Sequence, residues 1–310
     1  MHFIKNFSNF GDIWNYFRSK VIISSHGFNY AKSKNQILIH TSHGIPFKST
    51  CLLHKKCKEP YSKYIDYQIS NSEFTSAIYS QIFNLSPERI IETGEPLMDF
   101  LMNPDKYYAT HELKEKEFLK LKRNEFKKIV MYAPTFRDEF LDEFPGAPFE
   151  EILSDFFNIV EQNQNNFFII CPHPRDLEKN IISFEKYMHL NNWELAKIPS
   201  EKYLSLVDTV ILDISSFFYN ALYLEKNIIF FFPDYQKYIN NTGSIYKNFE
   251  IVPDEILFKK YSPNIDKILE SYPKETKTKL LYLKDIVYGK RDYSNVNLNL
   301  YEFISQIIKT

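Results

Sequence analysis

Three continuous apolar runs in the second half of the chain, NFFIIC (166–171), TVILD (209–213) and NIIFFF (227–232), constrain the fold most. None alternates apolar with polar residues, so neither face of such a strand is meant for water. Strands buried on both faces belong to parallel sheets covered by crossover helices. KIVMYA (128–133) opens this series. The first half shows a matching alternation, with strands expected at KVIISS (20–25), QILIHT (36–41), YIDYQIS (64–70) and RIIET (89–93). A helix between the last two starts at Asn71 or Ser72, either of which can cap it, and carries Phe74, Ile78, Ile82 and Phe83 inward. Residues 105–126 are charged, lack strand character and read as a helix plus connector. The pattern predicts an α/β protein of two Rossmann-like domains with parallel sheets facing a central cleft, spanning 1–108 and 127–310 on either side of a connector at 109–126, with a mostly helical tail from about 254.

At 310 residues the chain can bury a sizeable core, and its net charge of −1 makes no global electrostatic case for nucleic acid as a partner. The three cysteines, Cys51, Cys57 and Cys171, stand at no metal-type spacing, and a reducing cytosolic compartment is the simplest reading. No secretory leader opens the sequence, and no run approaches the ~20 apolar residues of a spanning helix. Residues 1–20 carry Phe3, Phe7, Phe10, Trp14 and Phe17 on one helical face, with Lys5, Arg18 and Lys20 off it. Two readings follow: a helix packed on the domain core, or an in-plane membrane anchor that makes peripheral contact with a lipid surface.

Ligands of open α/β sheets bind beyond the carboxyl ends of the strands. Those positions hold Ser42-His43-Gly44, Gly94-Glu95-Pro96, Pro134-Thr135-Phe136-Arg137, Pro172-His173-Pro174-Arg175, Ser215-Ser216 and Pro233-Asp234-Tyr235. Asp213 ends a strand, and Ser215 and Ser216 open a helix whose unpaired N–H groups suit a phosphate, although plain capping accounts for the same residues. Prolines on both sides hold His173 in a loop, either as a proton acceptor or as a hydrogen-bond donor to a phosphate or departing oxygen, or simply bonded to a neighbouring carbonyl. Arg137 fits a phosphate bidentately, or an ion pair with Asp138, Glu139 or the acidic run beyond. In SHGIPFK, Gly44 permits close approach, Pro46 stiffens the loop and Lys48 adds charge beside His43. So placed, His43 is either a base for an acceptor hydroxyl or a satisfied loop histidine.

In order, SHGIPFK, SNSEF…ERIIETGEPLMD, VMYAPTFR, CPHP and LSLVDTVILDISSFFYNALYLEKNIIFFFPDYQKY resemble the CDP-glycerol glycerophosphotransferase family of teichoic-acid primases and polymerases and related capsule polymerases, over roughly residues 36–240. The resemblance implies a GT-B architecture, with an acceptor-side first domain and a donor-binding second one. It also implies transfer of glycerol phosphate, or ribitol phosphate, from a CDP-alditol donor to an acceptor hydroxyl with release of CMP. The acceptor is then a surface polymer or its lipid-linked precursor, which places the chain in the cytoplasm, peripheral at the inner face of the membrane.

Carried over, His43 matches the histidine of the W-H-G motif, the general base, and His173 matches the H-P histidine that stabilises phosphate charge. Thr135 and Arg137 match the P-T-x-R element, and Asp213, Ser215 and Ser216 match the D-x-S-S element that holds the donor's phosphates or glycerol. Gly44 and Lys48 complete the expected phosphate-binding set, and no Asp-x-Asp motif indicates an obligatory metal or other cofactor. Ser42 departs from the motif's tryptophan, Leu97 from the arginine of G-x-P-R-x-D, and Leu212 and Ile214 from the residues around Asp213. The first domain is also shorter than the resemblance implies. The competing expectations are a GT-B glycosyltransferase using a CMP- or UDP-activated sugar, and a non-catalytic subunit of a surface-polymer assembly system.

Overall fold

The structure, a computed structural model, describes residues 10–25, 32–47, 50–53, 61–137, 149–173, 176, 184–240 and 252–309. Among them ten strands form two sheets, and every pairing is parallel. The first sheet holds β1 (Val21–Ser24), β2 (Ile37–His40), β3 (Tyr67–Ile69) and β4 (Ile90–Ile91) in sequence order. The second holds β5 (Lys128–Ala133), β6 (Asn166–Ile170), β7 (Trp193–Leu195), β8 (Thr209–Leu212), β9 (Asn227–Phe231) and β10 (Leu257–Phe258), in the order β10-β9-β8-β5-β6-β7. From β5 the chain therefore winds outward one way through β6 and β7, then returns to wind the other way through β8, β9 and β10. The β5/β8 junction is the topological switch point of a doubly wound sheet.

The eight strands expected from apolar runs are present, somewhat trimmed at their ends. The two edge strands β7 and β10, only three and two residues long, were not expected; runs that short carry no readable periodicity.

Contacts divide the chain into two compact units. The first comprises Met1–Ile45, Thr50–Met102 and Val287–Thr310; the second comprises Pro46–Ser49 and Asn103–Ile286. This differs from the division expected from sequence at three places, one of them Pro46–Ser49, which sits with the second unit. The helix Thr110–Glu125, together with residues 103–109, sits with the second unit, and the last stretch of the tail sits with the first.

In the first unit, Leu300 of the helix Val296–Lys309 packs on Ile39 and Ile69, with Phe303, Ile304 and Ile307 around them. The apolar side of that helix thus covers strands made more than two hundred residues earlier. The helix Glu73–Phe83 starts at Ser72, whose side chain accepts from the Thr75 N–H at 3.3 Å, a cap worth about 1 kcal/mol. Ile82 and Phe83 are buried as expected, together with Thr75 and Tyr79, while Phe74 and Ile78 are half-buried.

The helix Phe10–Arg18 corrects one of the two readings of the N-terminal stripe. Tyr16 faces inward, 6% exposed, and Gln36 donates to the carbonyls of Tyr16 at 2.6 Å and Ser19 at 3.0 Å. Those bonds fix the helix by its other side, so Phe10, Trp14 and Phe17 point to solvent at 79, 53 and 67% exposure. Arg18 lies over the Trp14 ring, and the Lys20 amine is bonded to the Ile308 carbonyl. Phe3, Lys5 and Phe7 lie outside the described residues.

In the second unit, β6 and β8 are buried at every residue and β9 at all but its first, as their continuous apolar sequences require. Aromatic stacking joins the layers: Phe156 of the helix Phe149–Gln162 lies 3.8 Å from Tyr132 of β5, and Phe157 lies 3.5 Å from Tyr187. Phe47, from the loop after β2, is 1% exposed among Phe218, Tyr219 and Phe230 of this unit. Each ring so buried contributes about 1.5–3 kcal/mol.

Candidate active site

At the switch point of the second sheet, the residues after β5 and β8 are bonded to one another. The Thr135 N–H lies 3.1 and 3.0 Å from the two carboxylate oxygens of Asp213, and its hydroxyl donates to Oδ1 at 2.6 Å. Arg137 Nη2 donates to Asp213 Oδ2 at 2.8 Å, its Nε donates to Asp234 Oδ2 at 2.9 Å, and its Nη1 donates to the Thr135 carbonyl at 2.8 Å. Phe232 and Tyr238 flank the guanidinium at 5.3 and 5.4 Å. The Arg137, Asp213 and Asp234 side chains are 1–3% exposed.

Burial alone would pull the Arg137 pKa down, but Asp213 and Asp234 outweigh it and raise it, so the guanidinium stays charged. Burial also pushes the Tyr238 hydroxyl up to about 12.

Here Arg137, Thr135 and Asp213, expected to serve a phosphate, bond with their side chains to one another and to Asp234. Arg137 does form ion pairs, but with partners other than the local acidic run weighed for it, whose residues 138–143 lie outside the described ones. One cation between two carboxylates leaves no positive charge over, and the donors of Thr135 are spent on Asp213. The cluster ties together the loops leaving β5, β8 and β9. Asp234, placed by sequence beyond a strand end but given no role, is its fourth member.

Ser215 and Ser216 follow Asp213 and are only partly buried. Ser215 Oγ accepts from the Phe217 N–H at 3.2 Å, the capping alternative, while Ser216 makes no side-chain cap. His173, three residues beyond β6, is exposed, with its ring 5.3 Å from that of Phe136. The Asp176 N–H donates to the His173 carbonyl at 2.9 Å. Arg175 lies outside the described residues, as does Lys48.

In the first unit, His43 stands exposed three residues after β2, with Nδ1 3.1 Å from the Ser25 carbonyl oxygen. The backbone on either side is unusual: Ser42 has φ 60 and Gly44 φ 130. Only glycine adopts the latter readily, so Gly44 has a conformational reason to be there. Beside this loop, Tyr79 donates to a carboxylate oxygen of the buried Glu95, and the Glu95 N–H donates to Asn71 Oδ1 at 2.7 Å. Burial lifts the Glu95 carboxyl to about 7, against the lowering effect of its Tyr79 and Asn71 hydrogen bonds. Glu95 stands among the strand-end residues of the sequence, between Gly94 and Pro96, where nothing in its neighbours marks it for a role. Among the described residues no three His, Cys, Asp or Glu side chains gather as a metal site.

The sequence profile of the CDP-Glycerol:Poly(glycerophosphate) glycerophosphotransferase family matches residues 5–285. The chain belongs to this family. A teichoic acid poly(glycerol phosphate) polymerase of Staphylococcus epidermidis is 27% identical over 271 residues, covering 78% of this chain and 35% of the polymerase. A teichoic acid glycerol-phosphate primase of Bacillus subtilis is 26% identical over 261 residues, covering 82% of this chain and 61% of the primase. The chain thus spans about a third to three-fifths of the length of these curated relatives. The solved wall teichoic acid polymerase TagF matches with a TM-score of 0.71 at 20% identity, covering 94% of this chain and 73% of that one. The fold is accordingly the GT-B architecture expected, with two parallel-sheet α/β units.

Proposed function

We propose that this chain transfers glycerol phosphate, or another alditol phosphate, from a CDP-alditol to an acceptor hydroxyl and releases CMP. The observation that carries this reading is the exposure of His43 and His173, one in each unit, on loops leaving parallel strands at their carboxyl ends, in a chain of this family. The acceptor oxygen attacks the phosphorus that bears the alditol. The bond from that phosphorus to the oxygen bridging it to the cytidine-bearing phosphate breaks, and CMP departs with the bonding pair. His43 takes the acceptor proton as general base. His173, Ser215 and Ser216 donate to phosphate oxygens where charge gathers. Arg137, Thr135 and Asp213 act one step back, holding the loops that carry these donors. Lys48 and Gly44 keep their proposed place on the His43 loop.

The acceptor is a hydroxyl of a teichoic-acid or capsule-type polymer or of its lipid-linked precursor. Phe10, Trp14 and Phe17, exposed on one helix with Arg18 beside them, support peripheral contact with a membrane surface, which we place at the cytoplasmic face. Among the described residues no helix is long and apolar enough to cross a membrane.

The test is CMP release measured in parallel with CDP-glycerol, CDP-ribitol, CMP-sialic acid and UDP-sugars. Release from a CDP-alditol that depends on an added acceptor is expected. Turnover confined to a CMP- or UDP-sugar would make the chain a glycosyltransferase, and none with any donor would favour a non-catalytic role.

A further inference from the structure

Two carboxylates, Asp213 and Asp234, outnumber the one guanidinium of Arg137 at the carboxyl edge of the second sheet, and all three side chains are 1–3% exposed. Salt screens charges so buried only weakly, so their negative excess is felt by an anion approaching the loops that carry them. The proposed donor brings a negative charge on each of its two phosphates. His173, Ser215 and Ser216 offer it hydrogen bonds but no fixed charge. A donor on this edge therefore needs a cation that the Arg137 cluster does not supply.

The edge strand β10 brings one. It runs in register with β9, Phe258 beside Phe231, and the Phe232 N–H donates to the Phe258 carbonyl at 2.8 Å. Lys259, the next residue, therefore leaves the sheet beside Phe232, about 4.8 Å away across the strand pair. Lys259 and Lys260 escape the strand-end rule at the level of sequence because so short a strand leaves no pattern.

The Lys259 amine lies 4.0 Å from the centre of the Tyr235 ring. That ring meets Phe232 edge-on at 5.4 Å, and Phe232 is the ring 5.3 Å from the Arg137 guanidinium. A row of cation, two rings and cation thus crosses the loops leaving β5, β9 and β10. Its inner end is buried and neutralised, and its outer end, Lys259, is exposed. Among the described residues no carboxylate lies within ion-pairing distance of Lys259; the Tyr235 ring is what seats it. A ring face attracts an ammonium group but carries no net charge, so Lys259 keeps its whole charge for an anion. All of these residues belong to the second unit.

We propose that Lys259, seated on the Tyr235 ring, supplies the positive charge that holds the diphosphate of the nucleotide-linked donor in the second unit. This rests on the reading of the chain as a transferase with such a donor.

The test is calorimetric binding of CDP-glycerol and of UDP-glucose, without acceptor, to the wild type, Lys259→Gln and Lys259→Arg. Lys237→Gln and Lys260→Gln, which each remove a neighbouring exposed cation, serve as controls. Lys259→Gln is expected to weaken CDP-glycerol binding roughly 10-fold and to flatten its dependence on KCl, with Lys259→Arg near the wild type. In CMP release the same Gln variant is expected to raise the donor KM and leave kcat nearly unchanged. Urea midpoints should match throughout, because every replaced side chain is exposed. Wild-type affinity in Lys259→Gln, or an equal loss in either control, would overturn the proposal and leave the transferase reading in place. A preference for UDP-glucose, still weakened only by Lys259→Gln, would keep the role of Lys259 and replace the donor. Binding of neither nucleotide by the wild type would overturn both.

Discussion

Thr135 reaches Asp213 with both its backbone N–H and its hydroxyl, at 3.1, 3.0 and 2.6 Å, and so closes the β5/β8 switch point with protein groups. Arg137 braces the same carboxylate from the other side.

Replacing Arg137 by Ala strands two buried carboxylates, and the expected loss is about 3–5 kcal/mol of stability in urea unfolding. Arg137→Lys should fare little better, because a point charge cannot bridge Asp213 and Asp234 at once. Wild-type stability in Arg137→Ala together with a raised donor KM would return this residue to direct phosphate binding.

His43→Ala and His173→Ala should each reduce CMP release by about 10²–10⁴-fold at pH 8, with little change in urea midpoint, because both rings are exposed. Turnover measured at saturating donor checks this. If either variant keeps full turnover, the corresponding role is wrong.

Glu95 makes the folded state a stronger proton binder than the unfolded chain, with its carboxyl at about 7 against an ordinary 4.5. Its contribution to stability is therefore fullest below about pH 4.5, declines as pH rises to 7, and is flat beyond. The span is about 3 kcal/mol. Subtracting the urea stability of Glu95→Gln from that of the wild type at pH 5, 6, 7 and 8 isolates this term, and a flat difference would show that Glu95 titrates normally.

Gly94 has φ +90, and an added Cβ would meet Val296 Cγ2 at 2.8 Å and Tyr293 Cδ1 at 3.1 Å. Gly94→Ala should cost about 1–3 kcal/mol from backbone strain alone. A melting temperature equal to the wild type would mean that the turn relaxes more easily than this packing allows.

Exchanging Phe10, Trp14 and Phe17 together for Ser should weaken flotation with liposomes rich in anionic lipid. Each change should alter stability by no more than about 0.5 kcal/mol, since these rings pack on little of the fold. Equal flotation of variant and wild type would remove the membrane reading of this face.

The central strands were readable because full burial leaves its mark residue by residue, as in NFFIIC and NIIFFF. Ser72 was readable because a cap acts within four residues. Other features depend on distance along the chain. The partners of Arg137 lie 76 and 97 residues away, so its choice between phosphate and ion pair belongs to tertiary structure. The Phe10–Trp14–Phe17 stripe was visible, but its direction depends on Tyr16 and Gln36 holding the opposite side. The edge strands β7 and β10 were too short to leave a pattern.

The helix Val296–Lys309 completes a sheet whose last strand, β4, ends at Ile91. About 200 residues separate the two, and at ribosomal rates of roughly 5–20 residues per second that is a wait of about 10–40 s. Throughout that interval Ile39 and Ile69 lack their cover, while the intervening stretch can already assemble the second sheet. The second unit is thus the one whose residues are all available before the first unit has its full set.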